Sequence, residues 1–163
     1  MIVVADTSVL LNLCRVGQIE LLRRLFRDVM IPPEVAAEFA RLSSQAPRFS
    51  GLLLPAWLRQ QAASFIPASV RGAAGLDPGE SAALALAVEI HADAILVDER
   101  RGHAVAIQLG LRTIGVLGIL LQAKSSGLLD QVGPLLDQLE REAGFWITPA
   151  LRARVLGLAG EQS

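Results

Sequence analysis

Short unbroken apolar runs, separated by longer stretches of helical spacing, set the rhythm of this chain. "IVVA" (2–5), "DVMI" (28–31) and "AILV" (94–97) have the length and continuity of strands buried on both faces. "SFIPA" (64–68) and "RTIG" (112–115) predict two further short strands. The stretch "TSVLLNLCRVGQIELLRRLF" carries apolar residues at helical spacing and breaks near Gly17. Pro32 and Pro33 open a helix over "PEVAAEFARL", where the missing proline N–H costs nothing. "LDPGESAALALAVEIHA" starts with Asp77 as cap, Pro78 in the first position and Glu80 three residues after the cap. "RRGHAVAIQLG" reads as a helix ending at Gly110. "VLGILLQAKSS", "LLDQVGPLLDQLERE" and "TPALRARVLGLA" give three helical stretches near the end. The Ser-, Pro- and Gly-rich segment 43–55 reads as an exposed loop. Strands alternating with helices predict an α/β fold: a parallel sheet of about five strands covered on both faces. With no repeat and no linker, 1–163 reads as a single domain, its helical part from about 116 to 163 packed on the core.

Composition narrows the classes. At 163 residues with 52% hydrophobic and 19% charged, the chain can fill one globular core. No apolar run reaches the roughly 20 residues of a membrane span. The apolar start has no basic flank and carries Asp6, so it does not read as a signal peptide. Cys14, the only cysteine, excludes an internal disulfide and a Cys-based zinc cage and suits a reducing cytoplasm. Net charge is −1, so there is no global basic field, and nucleic-acid contact would fall to local arginines. Most of those arginines read as the mark of a GC-rich genome in an Ala-, Leu- and Arg-heavy chain.

The acids carry the chemistry. Asp6 follows the "IVVA" strand and Asp98 follows "AILV". Ligands of open parallel sheets gather at those carboxyl ends, where strand order reverses. Glu80 begins the helix before the Asp98 strand, and Glu38 lies in the helix after "DVMI". Carboxylates meeting there would repel unless a hard cation such as Mg²⁺ or Mn²⁺ neutralised them. Plainer roles compete: Glu80 as partner in a capping box with Asp77, Asp6 as helix cap, Glu38 and Glu34 as solvated helix residues. Glu99 reads as the solvated neighbour of Asp98, because adjacent strand residues face opposite ways. His91 reads as a structural residue at a helix end.

"VVADTSVLLNL", "IPPEVAAEF", "LDPGESAALALA" and "AILVDERRGHAVA", in that order, resemble the PIN-domain family of metal-dependent ribonucleases. The resemblance spans nearly the whole chain. It is narrowest to a prokaryotic branch close to the VapC-like toxins of toxin–antitoxin modules. It implies a Rossmann-like PIN fold with Asp6, Glu38, Glu80 and Asp98 as the family acids, Glu34 being one helical turn from Glu38 and able to compete. Of these, Asp6, Glu80 and Asp98 would bind one or two Mg²⁺ or Mn²⁺ ions. The family's small hydroxyl residue corresponds to Thr7 or Ser8, and Ser8 fits better. Where the family usually has a basic residue, this chain has His103.

The reaction implied by the resemblance is hydrolysis of RNA phosphodiester bonds by cation-activated water, without a covalent enzyme intermediate. Arg100 and Arg101 would contact substrate phosphate, or else simply be solvated at a helix start. The expected partners are RNA, a cognate antitoxin and a second copy of the chain, all in the cytoplasm and without a membrane. A homodimer would use apolar helical surface, of which an aliphatic-rich chain has a surplus. A different class is a PIN-like binding module with little or no turnover. Phosphatase and phosphotransfer domains fit less well: position 8 is serine where a second acid is needed, and Lys124 falls in a late helix. An ATPase is disfavoured by the lack of a Gly-rich phosphate loop.

Overall fold

The computed structural model describes residues 1–162. Five parallel strands form one sheet: β1 (Ile2–Ala5), β2 (Asp28–Ile31), β3 (Arg59–Gln60), β4 (Ala94–Leu96) and β5 (Thr113–Ile114). Their spatial order is β3-β2-β1-β4-β5, so strand order reverses between β1 and β4. Val3 pairs with Ala94 and Ala5 with Leu96. The next amide, Asp6 N–H, donates to the Leu96 carbonyl at 2.9 Å. Asp6 and the β4 exit therefore leave the sheet side by side. The central strands are apolar throughout because helices cover both faces: Val3, Val4, Ala5 and Leu96 are completely buried.

β1 leads into α1 (Thr7–Arg15), and Gly17, at φ 71°, ends that helix before α2 (Glu20–Leu25). After β2 comes α3 (Pro33–Gln45), then a 3₁₀ turn at Pro47–Phe49 and the short α4 (Ala68–Arg71). α5 (Pro78–Glu89) lies on β1 between α3 and α6 (Arg100–Gln108). α5 is apolar all round, and Ala82 through Ala87 are all buried, as expected of a helix enclosed by neighbours. Truncating its Leu84 or Leu86 to alanine would cost about 2–5 kcal/mol in lost transfer energy and cavity. α7 (Val116–Ser125) packs on α1 and α2, α8 (Gly133–Ala143) on α1, and α9 (Pro149–Leu158) on α7. No helix among the described residues is long and apolar enough to cross a membrane.

The strand expected at 64–68 is not one. There Phe65 is 63% exposed, Pro67 offers no N–H for a ladder, and Ser64 N–H is taken by the Glu89 carboxylate at 2.8 Å. The third strand is Arg59–Gln60 instead, paired with Met30 and Ile31. It is a two-residue exposed edge held by backbone bonds, with Arg59 reaching Asp28 at 3.1 Å, so no apolar pattern marks it. The segment expected as a loop from 43 begins as the last turn of α3, and Leu52 and Leu54 pack against the core. In the tail, helix starts only at Gly133, five residues later than the apolar spacing suggests. Asp130 and Gln131 lie exposed ahead of it, and Pro134 sits in the first turn.

Candidate active site

Asp6 occupies the cap position of α1, yet its side chain makes no capping bond. It is 2% exposed, and Oδ1 is buried without any hydrogen-bond partner. Burial pushes its pKa up to about 7, and the charges of Asp77, Glu38 and Glu99 add to this against the lowering effect of the Thr7 N–H. Glu80 is in the same state. Its N–H donates to Asp77 Oδ1 at 2.7 Å, one half of a capping box. Its Oε2 is buried and unpartnered. Burial, then the Asp77 and Asp6 charges and a carboxyl–carboxylate hydrogen bond to Asp77, raise the Glu80 pKa to about 8.

Two glycines make room for this crowding. A Cβ on Gly79 would lie 3.4 Å from each of Asp77 Oδ1, Glu38 Oε2 and Thr7 Oγ1, so those three side chains meet over the first turn of α5. A Cβ on Gly102 would lie 2.9 Å from Glu80 Oε2, so Gly102 lets α6 pass over the Glu80 carboxyl. Glu38 reaches this place with its Oε2, whereas Glu34, one turn earlier, is exposed. The hydroxyls Thr7 Oγ1 and Ser8 Oγ are buried and unpartnered as well. Four orphaned oxygens in one place are uncommon in a folded protein, because each forfeits its hydration.

Asp98 behaves differently from the other acids. Both its carboxylate oxygens accept from Val116 N–H at 3.2 Å, and a Cβ on Gly115 would collide with Oδ1 at 2.5 Å. Asp98 thus caps α7, a helix whose own cap residue, Gly115, has no side chain to offer. Burial raises its pKa to about 6 against the Val116 bond, with Glu99 adding a smaller push. The Asp6 charge thus acts on Glu80, while the Asp98 carboxylate is held by the first amide of α7.

Glu99 is exposed and Asp77 caps α5, as the sequence suggested, and the charges of both also act on Asp6. The alternation of strand residues does not apply to Glu99, because β4 ends at Leu96 and Glu99 is already the cap residue of α6. The adjacent acids "DE" just beyond the strand were the signal. Glu99, Ser8 and Asn12 are common to two clefts. One, of about 340 Å³, is lined by Thr7, Glu38, Arg41 and Asp77. The other, of about 780 Å³, is lined by Asp98, Arg100, Leu117 and Trp146. Arg100 is exposed on the larger cleft, whereas Arg101 Nε donates to the Ala74 carbonyl and lies outside both sets of lining residues. His103 Nδ1 is 2.7 Å from Thr113 Oγ1, a bond between α6 and β5. His91 ends α5 at φ 51°, a structural position.

The donors are oxygens only, with Asp6 and Glu80 buried among like charges, which suits a hard divalent cation and no soft one. No three acidic, His or Cys side chains among the described residues already form a ready cage, so side chains must turn for a cation to bind. A family model described as a PIN domain matches residues 2–161. No curated protein and no solved structure matches the chain.

Proposed function

The chain belongs to the PIN-domain family, and on that premise we propose that it is a Mg²⁺- or Mn²⁺-dependent endoribonuclease, the toxin of a toxin–antitoxin pair. PIN domains are in general nucleases that bind nucleic acid and use divalent metal ions. The observation that carries the finer reading is the pair of buried, unpartnered carboxylate oxygens on Asp6 and Glu80. A site that keeps such oxygens without protein partners is built to give them to something else. Asp6, Glu80 and Asp98 are the proposed ligands, with Glu38 completing the catalytic acids and Asp77 and Glu99 adding negative charge beside them.

One or two such ions, when bound, activate water, stabilise charge on the phosphate and assist the leaving oxygen. The chain's own contribution is to hold the carboxylates ready. The β1 and β4 ends fix the Asp6 and Asp98 backbones, and the Val116 bond fixes the Asp98 carboxylate while leaving it lone pairs. Ser8 offers a hydroxyl, and Arg100 and Arg101 stand at the start of α6 for substrate phosphate. The toxin assignment, with its antitoxin partner, and action in the cytoplasm rest on the resemblance of the four motifs. A homodimer rests on apolar helical surface such as Ile107 and Leu158, both more than half exposed.

The test is cleavage of RNA by purified protein with Mn²⁺, stopped by EDTA and lost in Asp6→Asn. Cleavage surviving either treatment rejects the metal-nuclease reading. The Val116 bond on both Asp98 oxygens favours the second reading, a PIN-fold module that binds RNA without cutting it. RNA binding with no Mn²⁺-dependent cleavage would select it.

A further inference from the structure

Trp146 is 81% exposed, which is unusual for the largest type of side chain. It holds that position through its neighbours. Gly144 adopts a left-handed conformation at φ 68° to end α8, and Arg48 donates to the Ala143 carbonyl at 3.3 Å. Phe145 N–H donates to the Leu139 carbonyl at 2.9 Å, and Phe145 packs against the core. Ile147 is 5% exposed, and Thr148 caps α9 by accepting from Leu151 N–H at 3.1 Å. With Phe145 and Ile147 both turned inward, the side chain between them must point out. The backbone on either side thus fixes the direction in which the indole leaves the chain.

Its place matters as much as its exposure. Leu53, Phe65, Ile107 and Leu158 are exposed too, but none of them lines either of the two clefts that share Glu99. Trp146 lines the larger cleft together with Asp98, Glu99 and Arg100. That cleft is acidic at its base, and the chain's net charge is −1, so phosphate attraction alone gives little affinity. An aromatic face supplies attraction that needs no positive charge.

We propose that Trp146 is a stacking platform for an unpaired base, with Arg100 holding a phosphate beside the stacked nucleotide. This rests on the nuclease reading for the identity of the cleft. An indole face requires a free π-face, which single strands present and base-paired duplexes keep within their own stacks. Stacking is insensitive to salt, whereas each phosphate contact adds to the salt dependence.

The test uses Trp57→Phe, which leaves Trp146 as the only indole, with Ca²⁺ in place of Mn²⁺ and a single-stranded RNA 12-mer. We expect the 12-mer to quench the emission, and the same sequence as a duplex to leave it nearly unchanged. In anisotropy titrations, Trp146→Ala should weaken single-strand binding by about 5- to 100-fold without altering the salt slope. Trp146→Phe should recover part of that loss, and Arg100→Ala should lower the slope by about one. Unquenched emission while the strand binds, equal affinity of Trp146→Ala, equal response to duplex, or absence of any RNA binding each overturns the proposal. So does a blue shift produced by raising protein concentration alone, which would put a second copy on the indole. Quenching without Mn²⁺-dependent cleavage would leave the platform standing and remove the nuclease reading. Cleavage unaffected by Trp146→Ala would do the reverse.

Discussion

Two ends of this molecule bury carboxylates and treat them in opposite ways. At the tail, Glu161 accepts from Lys124 Nζ at 2.8 Å, Val132 N–H at 2.7 Å and Gly133 N–H at 2.9 Å. Burial opposes its charge, but the Lys124 bond and the two amides hold its pKa down to about 2. This carboxylate fastens the chain end to the start of α8 and to α7. At the sheet end, Asp6 and Glu80 are buried with oxygens left over and pKa values raised to about 7 and 8. The same chemical group contributes stability where both oxygens have donors and withdraws it where a buried oxygen is left without one. Stability sacrificed in one region and kept in another marks where a fold serves something other than its own cohesion.

The largest expected effect that would break this contrast is on catalysis. Asp6→Asn should lower Mn²⁺-dependent RNA cleavage by at least about 100-fold while leaving the metal-free melting temperature unchanged or higher. A lowered melting temperature with cleavage retained would make Asp6 a structural residue like Glu161.

Next comes pH. Asp6 and Glu80 have folded pKa values above their unfolded ones, so their contribution is complete below about pH 4 and lost as pH rises through 7 to 8. Glu161 has a depressed value, so its contribution is present above about pH 4.5 and lost as pH falls towards 2. Metal-free protein should therefore melt higher at pH 5 than at pH 8, by roughly 10 °C. Mn²⁺ should raise the melting temperature more at pH 8 than at pH 5, because it binds the ionised acids. Calorimetry at the two pH values, with and without Mn²⁺, checks both signs, and a metal-free protein more stable at pH 8 would contradict the acid cluster.

At the tail, Glu161→Ala removes the partner of a half-buried lysine and of two helix-start amides. It should cost about 2–3 kcal/mol in denaturant unfolding, with the cleavage rate of the folded protein intact. An equal loss of cleavage and stability would tie the tail to the site.

The smallest effect separates the two roles of Asp98. Asp98→Ala deletes the α7 cap and should cost about 1 kcal/mol, whereas Asp98→Asn keeps an acceptor for Val116 N–H and should cost less. Both should reduce cleavage if Asp98 also binds metal. Unchanged cleavage in Asp98→Asn would confine it to capping.

The parallel sheet was legible in the chain because β4 and the last three residues of β1 and β2 are buried, and strands covered on both faces read as apolar runs. Helix starts were legible for a local reason: Asp77 accepts from the Glu80 amide within one turn of itself, and Pro78 needs no partner for an N–H it lacks. The strand-end acids Asp6 and Asp98, and Glu38 within its helix, could be singled out because a carboxylate beside an apolar run needs an explanation. The edge strand β3 could not be read, since two exposed residues held by backbone bonds leave no side-chain pattern. Nor could the division of labour among the acids. What the Asp98 carboxylate bonds depends on where α7 begins in space, because the free amide there takes it. Spacing along a chain fixes which residues leave the sheet together. Only packing decides which of their oxygens find a donor, since the donors lie on helices distant in sequence.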